Sequence, residues 1–250
     1  MSRSAAPPLY TAMWIGLCLS IWEITSRISS KSFYPPPSIV ATRIFLELAS
    51  GSILGHVVAT LVRIFLGLGL ATVIGVALGI LSSKRIPAGN PFRIAVLASY
   101  PIPHTTLIPI IFWFFDIELG KIALIALICL YPIAISTMEW ASRTPRSYIE
   151  VIRSVGGGSR HILTLVTIPS TLPGILTGVR IASSTAYAVS YIAESFVESR
   201  GLGYMINYYW HTLDYVGVYA SILILALLGV ATYGSLYLAE RGALRWIYTG

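Results

Sequence analysis

The sequence predicts an all-α protein whose helices cross a lipid bilayer repeatedly, and three observations carry that prediction. Of 250 residues, 56% are hydrophobic and only 11% charged, whereas soluble domains carry about a quarter charged residues. The apolar runs are long and continuous rather than alternating, which selects helices over a closed barrel as the way to satisfy backbone polar groups in lipid. The basic residues behind the net charge of +7 sit between these runs. They do not cluster with exposed aromatics, so they argue for membrane topology and against a nucleic-acid partner.

A spanning helix needs about 20 mostly apolar residues, and six stretches qualify: 9–28, 57–82, 94–115, 119–141, 171–194 and 216–239. The first follows Arg3 as a leader peptide would. Glu23 interrupts it, however, and it runs on to Lys31 and a proline cluster without a small-residue cleavage pattern, so it is expected to be a retained span. Residues 35–51 (PPPSIVATRIFLELASG) come next. Ser38 is the expected N-cap there, and Val40, Ile44, Phe45 and Leu48 the apolar stripe of a helix lying along the outer interface. In the second span Arg63 reads as an interfacial anchor, and Gly75-x-x-x-Gly79 as a close-packing spacing. The third contains Pro101, Pro103 and Pro109, each of which removes a helical donor and clashes with the preceding turn. A broken helix is expected, turned toward the bundle interior because irregular backbone at membrane depth must be covered.

The fourth span carries Cys129 and the first Cys18; both thiols lie in apolar runs without a CxxC or paired histidines and are expected to be packing residues. The fifth is rich in Gly, Ala, Ser and Thr, which permits close approach and offers hydroxyls to a polar path. Arg180 lies roughly 13 Å into it by helical rise. Three readings stay open for this residue: a side chain snorkelling to the interface, a contact for an anionic solute, or a member of an intramembrane pair. Ser184 and Ser190 either line a path or back-bond to their own helix. Before the sixth span, Tyr204, Tyr208, Tyr209 and Trp210 form either an aromatic belt or a contact for an external receptor. With both termini in the cytoplasm, ten basic residues fall inside and five outside, Arg63 and Arg180 lying within spans, as the positive-inside bias requires.

Between the fourth and fifth spans, on the basic side, runs SRTPRSYIEVIRSVGGGSRHILTLVTIPSTLP. Residues 148–155 and 160–167 suit two short helices, and Gly156, Gly157 and Gly158 permit a sharp bend between them. A helix–turn–helix knuckle projecting into the cytoplasm is expected. Elsewhere the chain has no G-x-x-x-x-G-K-[ST] phosphate loop; Gly120-Lys121 is followed by isoleucine. HExxH, GxSxG and metal-ligand Cys/His spacings are also missing from the sequence, which gives no catalytic constellation and points away from an enzyme.

The knuckle carries a resemblance. Glu150-Val-Ile-Arg-Ser-Val-Gly156, followed by Val166-Thr-Ile-Pro169, is similar to the EAA loop of binding-protein-dependent ABC transporter permeases, E-A-A-x-x-x-G then I-x-L-P, with Val151 and Ile152 in place of the two alanines. The resemblance extends over most of the chain and narrows to the nitrate/sulfonate/taurine type. It is carried there by Pro35-Pro-Pro-Ser38, Pro101-Ile-Pro103, Leu107-Ile-Pro109, Trp113-Phe114, Glu118-Leu-Gly-Lys121, the start of span five from Leu172 to Arg180, and Gly201-Leu-Gly-Tyr204. His104 and Asp116 depart from the pattern, the one standing where a proline and the other where a small residue is expected.

The resemblance implies a six-span, MetI-like type I ABC importer permease. Residues 1–56 would hold the first span and the interfacial helix, and 57–245 the type-1 transmembrane domain with a cytoplasmic coupling loop at 143–170. Glu150, Val151, Ile152, Gly156, Arg160, Ile168 and Pro169 would contact the ATP-binding subunit. Pro101, Pro103, His104, Pro109, Arg180, Ser184 and Ser190 would border the translocation path. The implied partners are that ATPase, which binds the ATP and Mg so that this chain needs no cofactor, an extracytoplasmic solute-binding protein, and a second permease copy, all at the cell membrane. The implied solute is a sulfonate, taurine or nitrate-like anion, with vitamin precursors as an alternative. A secondary transporter driven by an ion gradient would need mid-membrane carboxylates, and Glu23, Asp116, Glu118, Glu139, Glu194 and Glu240 lie toward span ends or in loops.

Overall fold

The computed structural model describes residues 8–29, 31–83, 89–197 and 200–245, and the described residues are helical with short connections. In chain order the helices are α1 (Pro8–Ser29), α2 (Pro37–Ser50), α3 (Leu54–Leu81), α4 (Gly89–Ser99), α5 (Ile108–Phe114), α6 (Ile117–Arg143), α7 (Arg146–Ser154), α8 (Ser159–Ile162), α9 (Ile168–Phe196), α10 (Leu202–His211) and α11 (Tyr215–Ala243). A 3₁₀ turn, His104–Leu107, precedes α5, and a π-helical turn, Leu163–Thr167, joins α8 to α9.

Helix α6 is the central post, with α3 on one side and α9 on the other. Their apolar faces meet in one cluster that includes Ile64, Leu68, Leu124, Ile125, Cys129, Ile133, Ala182, Ala186 and Val189. The small residues set the spacing. A Cβ on Gly75 would lie 2.9 Å from the Leu130 carbonyl oxygen, and one on Gly178 2.9 Å from the Ile133 Cα. Gly75 of the sequence spacing and Gly178 on α9 therefore sit at backbone contacts with α6, where lipid tails offer no hydrophobic gain and association rests on close packing. Cys129 is buried in this core and Cys18 is exposed on α1; neither is bonded to the other.

Among the described residues, four helical segments are long and apolar enough to cross a membrane: Leu54–Leu81, Ile117–Arg143, Ser159–Phe196 and Tyr215–Ala243. A fifth crossing arises if Pro91–Ser99 and His104–Phe114, bent by 89°, count as one broken span. The chain leaves α4 at Ser99 because Pro101 and Pro103 cannot donate to the preceding turns, which is the expected break. The expectation that this segment faces the bundle interior is not met within the single chain. Ile94, Trp113 and Phe114 are 68%, 85% and 78% exposed, because α6 covers only the Ile108, Ile111 and Phe112 side. The first expected span is a helix of 22 residues, α1, but its composition leaves it outside the four. Six crossings are thus not reproduced by those criteria alone.

Two expectations for α2 are corrected. The helix starts at Pro37, whose missing N–H suits the first turn, with Pro36 before it and no side-chain cap. Ser38 falls inside the helix and reaches back to α1 instead: its hydroxyl donates to Glu23 Oε1 at 2.8 Å and its N–H to Glu23 Oε2 at 3.1 Å. The stripe is also different. Val40 is buried and Ile44 packs against a small cluster with Ile53 and Leu202, while Phe45 and Leu48 are 70% and 46% exposed. The inward face is instead shared with Glu47, for which Arg43 and Tyr209 provide hydrogen bonds.

Replacing Gly75 by valine should cost about 1–3 kcal/mol through overpacking against α6. Gly69→Ala, where nothing lies within 4 Å, should be close to neutral. Thermal unfolding of the solubilised chain measures both.

Candidate coupling and translocation sites

The knuckle forms as the glycine run dictates. Pro145 takes an extended conformation and starts α7, and Gly156 ends it with φ 79°, a left-handed angle that side chains rarely adopt. The Gly156 N–H donates to the Arg153 carbonyl at 3.0 Å and the Gly157 N–H to that of Ile152 at 2.8 Å, so the orphan carbonyls at the helix end are used. No residue of α7 is buried. Tyr148, Val151 and Val155, 57%, 60% and 77% exposed, make an apolar stripe at helical spacing on the projecting surface.

Glu150, Val151, Gly156 and Arg160 are brought together on this exposed tip, with Ile152 half-buried beneath it. Ile168 and Pro169 stand at the base, where the knuckle becomes the fifth span. The second limb is not a separate helix over 160–167. Ser159–Ile162 continues through the π turn into α9, giving a helical run of 38 residues from Ser159 to Phe196. The widened turn precedes Pro169, whose ring would crowd the residue 165 carbonyl in a regular α-helix. Sequence reading missed one strut: Thr144 and Ser170 hydroxyls bond at 2.8 Å and close the base of the knuckle.

At the opposite end of the bundle lies a buried charge cluster. Arg63 is 4% exposed, not an interfacial anchor. Its guanidinium holds Glu118 through two bonds of 2.7 and 2.8 Å and Glu194 at 2.8 Å. Glu194, 1% exposed, also accepts from the Thr60 hydroxyl and the Gly203 N–H, each at 2.9 Å. Lys121, fully buried, lies 3.7 Å from Glu118. Gly201 packs on the Glu194 carboxylate with φ 143°, leaving no room for a side chain, which accounts for the Gly201-Leu-Gly203 sequence. Nearby, Arg43 pairs with Glu47 of its own helix at 2.6 Å and ties α2 to the last connection through Asp214 at 3.1 Å. The Glu47 hydrogen bond holds this guanidinium above its already high range, and burial raises the Tyr209 hydroxyl.

The expected path residues do not converge. Pro101, Pro103, His104 and Pro109 lie along the bent α4–α5 segment, where His104 Nε2 and the Tyr131 hydroxyl are 2.9 Å apart and that hydroxyl donates to Ser99 at 3.1 Å. Arg180 resolves to the third of its readings. It donates to Glu240 at 2.7 Å and to the Tyr233 hydroxyl, with Tyr233 and Tyr237 rings 5.2 and 5.7 Å from its guanidinium carbon. Ser184 faces an open groove of about 800 Å³ between α9 and α11. Ser190 is fully buried and donates back to the Tyr187 carbonyl at 2.9 Å, the back-bonding one of its two readings.

Residues 44–245 match the family described as binding-protein-dependent transport system inner membrane component. The chain is 31% identical over 231 residues to the formylaminopyrimidine transport permease protein ThiX of Halalkalibacterium halodurans, covering 92% of each. It is 30% identical to the putative aliphatic sulfonates transport permease protein SsuC of Bacillus subtilis, over 91% of this chain and 84% of that one. To the taurine transport system permease protein TauC of Escherichia coli it is 28% identical, over 93% and 87%. Among solved structures, an inward-facing MetNI methionine ABC transporter chain superposes with a TM-score of 0.65 at 20% identity, covering 75% of this chain and 94% of that chain. This last likeness speaks for the fold.

Removing one partner of the Arg63–Glu194 pair leaves a buried charge, so Arg63→Ala should cost about 3–5 kcal/mol. Arg63→Met with Glu194→Met should recover part of it, as read by thermal unfolding in one detergent.

Proposed function

We propose, from the premise that this chain belongs to the family of binding-protein-dependent transport system inner membrane components, that its α7 knuckle takes up the work of ATP hydrolysis and passes it to the bundle. The chain is an ABC importer permease of the MetI type, embedded in the membrane. It is not an enzyme: hydrolysis belongs to a separate ATP-binding subunit, and a solute-binding protein is the other partner the family implies.

The observation that carries the reading is the unburied apolar stripe of Tyr148, Val151 and Val155 on a tip that Gly156 turns away from the bundle. An exposed apolar stripe on a projecting tip marks an interaction surface, and the ATP-binding subunit is the cover that fits the family. In this reading Glu150 and Arg160 border the contact, Gly156 sets the bend, and Ile168 and Pro169 set where the limb enters the membrane. Both termini lie in the cytoplasm, and residues 1–56 are an appendage to the transmembrane domain of 57–245. Two copies form the path, and ATP binding draws their knuckles together so that rigid-body movement exposes the path to one side and then the other. ATP and Mg sit on the ATPase, and no cofactor sits on this chain.

The solute is a small molecule handed over by the binding protein. Relatives named for sulfonates and taurine support an oxyanion, and the relative named for formylaminopyrimidine supports a vitamin-type ring. Ion-gradient coupling is the weaker reading, because the membrane-embedded Glu194 and Glu240 are both held by arginines.

Glu150→Lys or Val151→Asp should lower recovery of the ATPase with tagged permease about tenfold, the size of a hot-spot loss. Thermal unfolding of the isolated permease should stay unchanged, since neither side chain is buried. Undiminished recovery would contradict the reading.

A further inference from the structure

The groove between α9 and α11 has a lining that selects among solutes. On α9, Ser184, Tyr187, Ala188 and Tyr191 follow the i, i+3, i+4, i+7 spacing of one helical stripe. The facing stripe of α11 includes Gly229 and Tyr233. On α11 the lining runs from Ile222 to Tyr233, across the centre of the helix Tyr215–Ala243, so the groove lies along the middle of that span. Its volume of about 800 Å³ falls in the range of small-molecule sites, roughly 300–1,000 Å³.

Three tyrosine rings border this space, and one is fixed. Tyr187 is 6% exposed, its hydroxyl bonds to Thr232 at 2.7 Å, and its ring lies beside Gly229 of α11. Tyr191 and Tyr233 are 40% and 38% exposed, and the Arg180 guanidinium lies over one face of the Tyr233 ring. No lysine or arginine lines the groove. The nearest cation described, Arg180, is spent on Glu240 and on the Tyr233 hydroxyl. The other cations of the described span interiors, Arg63 and Lys121, are likewise held in ion pairs, at the far end of the bundle. An anion entering here would lose its hydration and meet no uncompensated positive charge, a costly exchange in low dielectric. A flat uncharged ring would lose little hydration and gain stacking on tyrosine faces, with the Ser184 hydroxyl free to orient a ring nitrogen or amino group.

Resting on the importer reading above, we propose that this groove is a binding site on the translocation path for an uncharged aromatic heterocycle rather than for a sulfonate or nitrate. The occupant touches Tyr191 and Tyr233, and Ser184 is its polar contact.

The test uses the assembled transporter in lipid nanodiscs, with Cys18→Ser to remove the exposed native thiol and Ala188→Cys to place a reporter in the groove. The rate of maleimide labelling is followed alone, with 4-aminopyrimidine under mildly alkaline conditions where it is uncharged, and with taurine. Severalfold slowing by the pyrimidine but not by taurine, abolished by Tyr191→Leu, supports the proposal. Protection by taurine overturns it, and so does protection by neither. A thiol that stays unlabelled in the assembled complex, the mark of a groove filled by acyl chains or by the second copy, overturns it too. Recovery of the ATPase in the same preparation reports separately on the importer reading, so the two can fail independently.

Discussion

The structure depends on the continuity of one helical run. From Ser159 to Phe196 the chain is helical for 38 residues, about 57 Å at 1.5 Å per residue, with the knuckle at one end and the buried charge cluster at the other. Its middle is clamped against α6 at Gly174 and Gly178, where Trp140 and the Ile133 backbone leave no room for a side chain. In the coupling proposed above, a displacement that reaches Ser159 is carried by α9, and with α9 go the groove face of Ser184 and Tyr187 and the end that carries Glu194.

Charge inside the membrane follows one rule in this molecule: it is compensated locally. Arg63 joins Glu118 and Glu194 across helices α3, α6 and α9, and Arg180 joins Glu240 across α9 and α11. Each pair links segments far apart in sequence. These pairs offset the desolvation of their members and fix the register of neighbouring helices, and breaking one strands a charge in a low-dielectric setting. They also leave the groove between α9 and α11 without net charge.

Much of this was legible in the residues. The apolar runs gave the long helices; Pro101 and Pro103 gave the break after Ser99; and the glycine triplet gave the bend after α7. The spacing Gly75-x-x-x-Gly79 marked a face that does lie against α6. What failed was whatever depended on partners remote in sequence. Arg63 was read alone as an anchor because Glu194 is 131 residues away, and Ser38 was read as a cap because Glu23 lies on another helix. Phe45 and Leu48 fitted an apolar stripe by periodicity, but the bonds from Arg43 to Asp214 and from Tyr209 to Glu47 turn a different face inward. At the site, the exposed tip of Glu150, Val151, Gly156 and Arg160 was local and readable. The path residues were not, because whether a serine lines a groove or back-bonds is decided by rotation about the helix axis, which separates Ser184 from Ser190.

The central claim is that the knuckle moves with the nucleotide state of the ATPase. Spin labels on Val155→Cys, in a Cys18→Ser background, place one reporter on each knuckle of the assembled transporter, and pulsed dipolar spectroscopy reads the distance between them. The account predicts that the two labels approach when non-hydrolysable ATP binds and separate when the nucleotide is removed. An unchanged distance in a preparation that still transports solute would contradict it.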